Sequence, residues 1–142
     1  MVRIINEFRG DYYFLSNFYN APIAYEGTTY KNSEAAFQAA KCADVKERDS
    51  FAQLSASDAK RAGRRVKLRQ DWETVKYSVM YEIVLKKFEQ NDYLRQRLLD
   101  TGYTFLEEGN TWGDTTWGTV NGVGNNVLGV ILMRVREELR QK

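Results

Sequence analysis

Apolar positions alternate like strands over the first thirty residues and repeat with helical spacing over most of the rest. Val2, Ile4 and Asn6 alternate with Arg3, Ile5 and Glu7, which predicts a short strand. The β-prone runs 22–25 and 28–30 flank Glu26-Gly27, a turn signal, and predict a hairpin. Residues 12–19 read as an aromatic loop.

Asn32 or Ser33 can cap a helix reaching about Cys42. A second helix is expected over 44–54. Ser55, with Asp58 three residues on, resembles a capping box for a short basic helix ending near Gly63. The strongest helix runs from Asp71 to about Gln90. Trp72, Val75, Val79 and Ile83, with the neighbouring row Met80, Val84 and Phe88, form one wide apolar face. Asn91 or Asp92 restarts a helix to about Asp100, closed by Gly102. Residues 103–106 suit a strand, 109–124 a long loop rich in glycine, asparagine and threonine. A last helix starts near Asn126 and turns Leu128, Ile131, Leu132, Val135 and Leu139 inward. No alternating βαβ pattern appears, so a doubly wound fold is not expected. The expectation is an α+β protein, predominantly helical: a single compact domain over 1–142 with a small N-terminal antiparallel sheet.

Length and composition agree with this: 142 residues suit one domain, and 43% apolar with 28% charged is ordinary for a soluble protein. Charge changes the picture little. Lys and Arg total 21 against 19 Asp and Glu, a net +2, so no global pull toward nucleic acid exists. Arg3, Glu7, Arg9 and Asp11 interrupt any apolar signal-peptide core. The apolar run 127–133 is far short of the roughly 20 residues that span a bilayer. A cytoplasmic protein with no membrane partner is expected.

The histidine count changes more, because it is zero. Imidazole is the commonest general base and metal ligand near neutral pH. No Ser-His-Asp triad, Cys-His pair or histidine-ligated zinc can form here. The single cysteine, Cys42, excludes an internal disulfide and a four-cysteine metal site. An enzyme of this composition works with carboxylates, lysine, tyrosine, backbone groups or water.

Four segments carry candidate chemistry. On the alanine-rich helix after Asn32, Glu34, Gln38 and Lys41 fall at i, i+4 and i+7 and line one stripe about 10 Å long. The alternative is a solvated polar face. In the glycine-rich loop, Trp112, Gly113 and Asp114 are followed by Thr115, Thr116 and Trp117. Two tryptophans there form either a ligand wall or a core plug, and Asp114 either an adjustable carboxylate or an Asx-type turn. Lys60, Arg61, Arg64, Arg65, Lys67 and Arg69 make a basic run that suits phosphate or simply a solvated face. The aromatic loop, with Asn17 and Phe18, suits base stacking or the core of a small sheet. Gly122-Val123-Gly124 lacks the third glycine of a dinucleotide fingerprint, and no P-loop stretch occurs.

In order along the chain, several segments resemble one family. They are Phe14-Leu15-Ser16-Asn17-Phe18 with Ala21-Pro22-Ile23, and Gly27-Thr28-Thr29-Tyr30 leading into Ser33-Glu34 and Phe37-Gln38-Ala39-Ala40-Lys41. Then come Leu68-Arg69-Gln70-Asp71-Trp72-Glu73, Lys87-Phe88, Trp112-Gly113-Asp114, and Gly124, Asn126, Leu128-Gly129, Leu132-Met133 and Arg136. Over nearly the whole chain this is similar to the NADAR superfamily, and within it to the YbiA-like N-glycosidases.

The resemblance implies hydrolysis of an N-glycosidic bond to ribose. Members act on ribosylaminopyrimidine intermediates of riboflavin synthesis, or remove ADP-ribose from guanine in DNA. It implies a ribosylated small molecule or ADP-ribosylated nucleic acid as partner, and no cofactor or metal. Non-catalytic binding of ADP-ribose or a nucleotide is the alternative. On this reading Glu34, Lys41 and Asp114 are catalytic. Asn17, Phe18, Gln38, Trp72, Trp112, Gly113 and Asn126 bind substrate, and Arg64 and Arg65 bind phosphate. Ala35 stands where the family usually places a histidine.

Overall fold

A computed structural model describes residues 3–142. Its contacts divide the chain into two units, one continuous (Asn17–Asn91) and one formed by the chain up to Ser16 together with Asp92–Lys142.

The continuous unit opens with the expected hairpin, β2 (Asn20–Tyr25) and β3 (Thr28–Asn32), paired antiparallel with Ile23 opposite Tyr30. Burial alternates along β2, where Ala21, Ile23 and Tyr25 face inward. Glu26 and Gly27 make the turn with left-handed φ values of 49° and 87°, which glycine adopts without strain. Helix α1 (Ser33–Ala40) follows directly. Asn32 is its cap: the side chain accepts the Ala35 N–H at 2.8 Å and donates to the Leu54 carbonyl at 3.2 Å.

The helix expected over 44–54 is broken. It forms one α-turn, α2 (Val45–Arg48), and a 3₁₀ turn, Asp49–Phe51. Only Phe51 of these is buried, so little apolar area holds a longer helix together. Helix α3 (Ala56–Gly63) is capped by Ser55, which accepts the Asp58 N–H. Helix α4 (Trp72–Gln90) carries the core of the unit. Trp72, Val79, Met80, Ile83, Val84 and Phe88 are buried, and Val75 half-buried. Gln90 fastens the end of α4 to β2, giving and taking hydrogen bonds with the Ala24 backbone at 2.9 and 2.8 Å.

In the other unit the predicted first strand is β1 (Ile4–Ile5), paired parallel with β4 (Phe105–Leu106). Val2, included in the expected strand, lies outside the described residues. The small sheets are therefore two, and only the hairpin is antiparallel. A 3₁₀ turn (Gly10–Leu15) takes up most of the aromatic loop and buries Phe14 and Leu15, while Tyr12 and Tyr13 stay exposed. Helix α5 (Asp92–Asp100) ends at Gly102, whose φ of 63° makes the C-terminal turn. Helix α6 (Val127–Arg140) buries all five of the residues its spacing turns inward. Among the described residues no helix is long and apolar enough to cross a membrane.

Candidate active site

The stripe on α1 is assembled from both ends. At the first turn, the Glu34 N–H donates to the Asn17 carbonyl at 3.0 Å, which ties the Asn17–Phe18 segment to the helix start. Asn17 is itself anchored, its amide donating to Met80 Sδ at 3.4 Å. One turn on, Gln38 Nε2 donates to Glu34 Oε2 at 2.5 Å. Gln38 is buried, and its Oε1 has no hydrogen-bond partner among the described residues. The Ser33 hydroxyl, also buried, is likewise unpartnered. Orphaned buried acceptors are uncommon and costly, and they concentrate where a ligand or water completes the bonding.

Lys41 follows as the C-cap of α1. Burial lowers its proton affinity below the ordinary lysine value and Arg64 lowers it further, while Glu34 and Cys42 oppose the shift. Cys42 is fully buried with its thiol pushed up by burial, which makes it an inert core residue.

Helix α3 closes over the stripe at Gly63. A methyl group there would overlap the Gln38 carboxamide, reaching 2.6 Å from its carbon, and would stand 3.1 Å from Cε of Lys41. Arg64 is the exposed C-cap of α3, and Arg65 is exposed next to it. One turn earlier, Lys60 Nζ lies 5.8 Å from the centre of the Phe18 ring. Glu34, Gln38, Lys41, Asn17, Phe18 and Arg64 thus belong to one connected neighbourhood of this unit.

Trp72 lies on the buried face that its helical spacing gives it. It is 7% exposed, and its ring is tilted against Phe37 with centroids 5.1 Å apart. It packs the core between α1 and α4 and offers no open face for stacking. Ala35 is fully buried on the inner side of α1. A histidine there would enter packed interior.

Trp112, Gly113, Asp114 and Asn126 belong to the other unit. Asp114 Oδ1 accepts the N–H groups of Thr116 and Trp117 at 3.0 and 2.9 Å, which is the Asx-type turn. Asn110 brackets the same residue, accepting its N–H at 3.1 Å and donating to its carbonyl at 2.9 Å. Gly113 turns the chain at φ 86°, and Trp112 is 57% exposed. Asn126 sits in a left-handed conformation at the start of α6. Its amide donates to the Leu106 carbonyl and accepts the Glu108 N–H, both at 2.9 Å. Both ends of that side chain are committed to backbone.

Two residues were given no role at the site by the sequence. Gly63 ends α3 as expected and also makes room for Gln38. Lys87 is 1% exposed on α4, with Nζ 5.7 Å from the Tyr19 ring centre, and burial pulls its pKa down to about 7. Its spacing was the available signal, since it follows Ile83 by four residues and Met80 by seven. Among the described residues, no group of three or more acidic or cysteine side chains is arranged to hold a metal ion.

Known proteins are similar to this chain over most of its length. The NADAR domain model matches residues 5–140. The chain is 44% identical over 133 residues to "N-glycosidase YbiA" of Shigella flexneri serotype 5b (strain 8401), covering 91% of this chain and 82% of that protein. It is 42% identical over 134 residues to a "Riboflavin biosynthesis protein" of Vibrio vulnificus (strain YJ016), covering 90% of this chain and 36% of that one. The solution NMR structure of the Escherichia coli protein YbiA matches with a TM-score of 0.88 at 40% identity, over 99% of this chain and 88% of that one.

Proposed function

The chain belongs to the NADAR family, and from that premise we infer that it is a hydrolase, an N-glycosidase cleaving the bond between a ribose and a nucleobase-like group. The observation that carries the reading is the stripe: a carboxylate held by Gln38 shares a helix face with a lysine whose proton affinity is lowered by burial. The proposed substrates are a ribosylaminopyrimidine of riboflavin biosynthesis and ADP-ribosyl-guanine in DNA. The riboflavin name of the Vibrio relative, matched over 90% of this chain, supports the first.

Breaking a ribosyl C–N bond develops positive charge on the sugar and negative charge on the departing base. In this proposal Glu34 stabilises the sugar's charge or takes a proton from water. Lys41 acts on the ring-opened glycoside, which carries a C=N bond at C1. Its neutral amine adds to C1 and the base leaves as a free amine, giving a Lys41–C1 imine. Water then adds to that carbon, and the Lys41–C1 bond breaks to release the sugar aldehyde and restore the amine. The balance is glycoside plus water to amine plus sugar. Arg64 and Arg65 suit a phosphate on the sugar. Asn17, Phe18 and Gln38 supply polar and aromatic contacts beside it.

Chromatography of a riboside panel tests the reading, comparing a ribosylaminouracil phosphate with ADP-ribosylated guanosine. Release of the free base from either is expected. Release from none would remove the enzyme and leave a non-catalytic nucleotide-binding module, which calorimetry with ADP-ribose would then detect. Borohydride reduction during turnover should leave the sugar on Lys41, and a lysine without adduct removes the imine step alone.

A further inference from the structure

Gly63 is not glycine for the sake of its backbone. It lies inside α3, outside the residues with left-handed φ, and the helix continues to a right-handed cap at Arg64. Any residue can adopt that conformation, and most favour it more than glycine does. Space is what demands glycine. The unpartnered Oε1 of Gln38 occupies the volume where a side chain at 63 would begin, and Cε of Lys41 lies against the same point.

We propose that Gly63 is the positioning residue of the stripe: its missing side chain lets α3 seat directly on α1, which pins the Gln38 carboxamide onto Glu34 and keeps the Lys41 stem half-buried. The inference rests on reading the stripe as the active centre. A methyl group at 63 has two outlets. Either the Gln38 carboxamide swings away and releases Glu34 Oε2, or α3 lifts and water reaches Lys41. Both disturb the pair without touching a ligand. The charged and titratable groups facing Lys41 are Glu34 and Cys42 from its own segment and Arg64 from α3, and none of the three is substituted in the variants below.

The test is a cycle of Gly63→Ala, Gln38→Ala and the double substitution in the full chain. Competitive acetylation of Lys41 against pH, read by mass spectrometry, needs no substrate and reports the amine directly. Gly63→Ala should move the onset of Lys41 reactivity toward higher pH and lower kcat at least tenfold, with KM changed less than threefold. With Gln38 shortened to alanine, the same methyl has room. Adding Gly63→Ala to Gln38→Ala should therefore change both readouts less than twofold. An unshifted acetylation profile in folded Gly63→Ala overturns the proposal, as does an equal effect of the methyl in both backgrounds. If Gly63→Ala fails to fold by circular dichroism, the double variant must fold, and its failure also overturns the proposal. A shifted acetylation profile in a wild type that releases no base would sink the N-glycosidase reading while leaving the packing inference intact.

Discussion

On α1, two buried polar atoms are left incomplete; in the segment 107–126 of the other unit, the buried amides of Asn110 and Asn126 and the half-buried carboxylate of Asp114 find partners. Gln38 Oε1 and Ser33 Oγ lack partners beside Glu34. Asp114, Asn110 and Asn126 spend their oxygens and amides on neighbouring backbone. A helix satisfies its own main chain, so its side chains are free to face a ligand. A long loop has no such supply and must use side chains to hold its shape. The two segments look equally chemical in sequence, and the hydrogen-bond accounting separates them: the helix keeps unpartnered polar atoms, which the proposal assigns to a ligand, and the loop turns its side chains on its own backbone.

Five substitutions at four positions break or sharpen this contrast. Glu34→Gln keeps the shape of the stripe and removes its charge. Turnover should fall by about 10²–10⁴, with ligand affinity by calorimetry within a few-fold and the melting temperature unchanged. Retained turnover would take the active centre away from α1. Lys87→Met asks whether burial of an amine alone explains the chemistry of the stripe. Lys87 is about 7 in the folded state against 10.5 for an ordinary lysine. Between those values the unfolded chain holds a proton that the folded one has released, so stability rises with pH across that window. Denaturant unfolding at pH 7 and 9 should show the rise in wild type and a flatter profile in Lys87→Met, a difference of a few kcal/mol, with turnover preserved.

Asn126→Ala removes two backbone partners and leaves alanine in a left-handed conformation. A loss of about 2 kcal/mol is expected from one newly unsatisfied buried group and the strained φ. An activity change without a stability change would instead make Asn126 a ligand contact. Asp114 gives the smallest and most discriminating effect. Asp114→Ala should cost about 1 kcal/mol through the lost Asx turn, whereas Asp114→Asn keeps the accepting oxygen and should be nearly neutral in thermal unfolding. If Asp114→Asn is stable yet inactive, the charge serves the reaction as well as the loop.

Periodicity made much of this legible. The five inward residues of α6, the caps Asn32 and Ser55 and the hairpin about Glu26-Gly27 follow from spacing and turn chemistry, which are local. The stripe was legible for the same reason. The parallel pairing of Ile4 with Phe105 was not, because nothing local specifies a partner a hundred positions away. Trp72 was ambiguous because an aromatic residue at a helix start suits a core or a ligand equally, and only its contact with Phe37 decides. Gly63 ends α3 as its position predicts, but its packing was not legible. Its packing role depends on Gln38 and Lys41, which belong to another helix.

The β1–β4 pairing also sets an order of events during synthesis. The segment Asn17–Asn91 carries all its own strands and helices and leaves the ribosome as one continuous stretch. Ile4 and Ile5 are made before that segment, yet their hydrogen-bonding partners near Phe105 are made about a hundred residues later. At translation speeds of about 5–20 residues per second that wait is on the order of ten seconds, far longer than the microseconds to milliseconds in which helices and hairpins form. Residues 4–5 are thus made before the hairpin-and-helix segment and paired after it, and a nascent chain halted near residue 91 would carry that segment formed behind an unpaired β1.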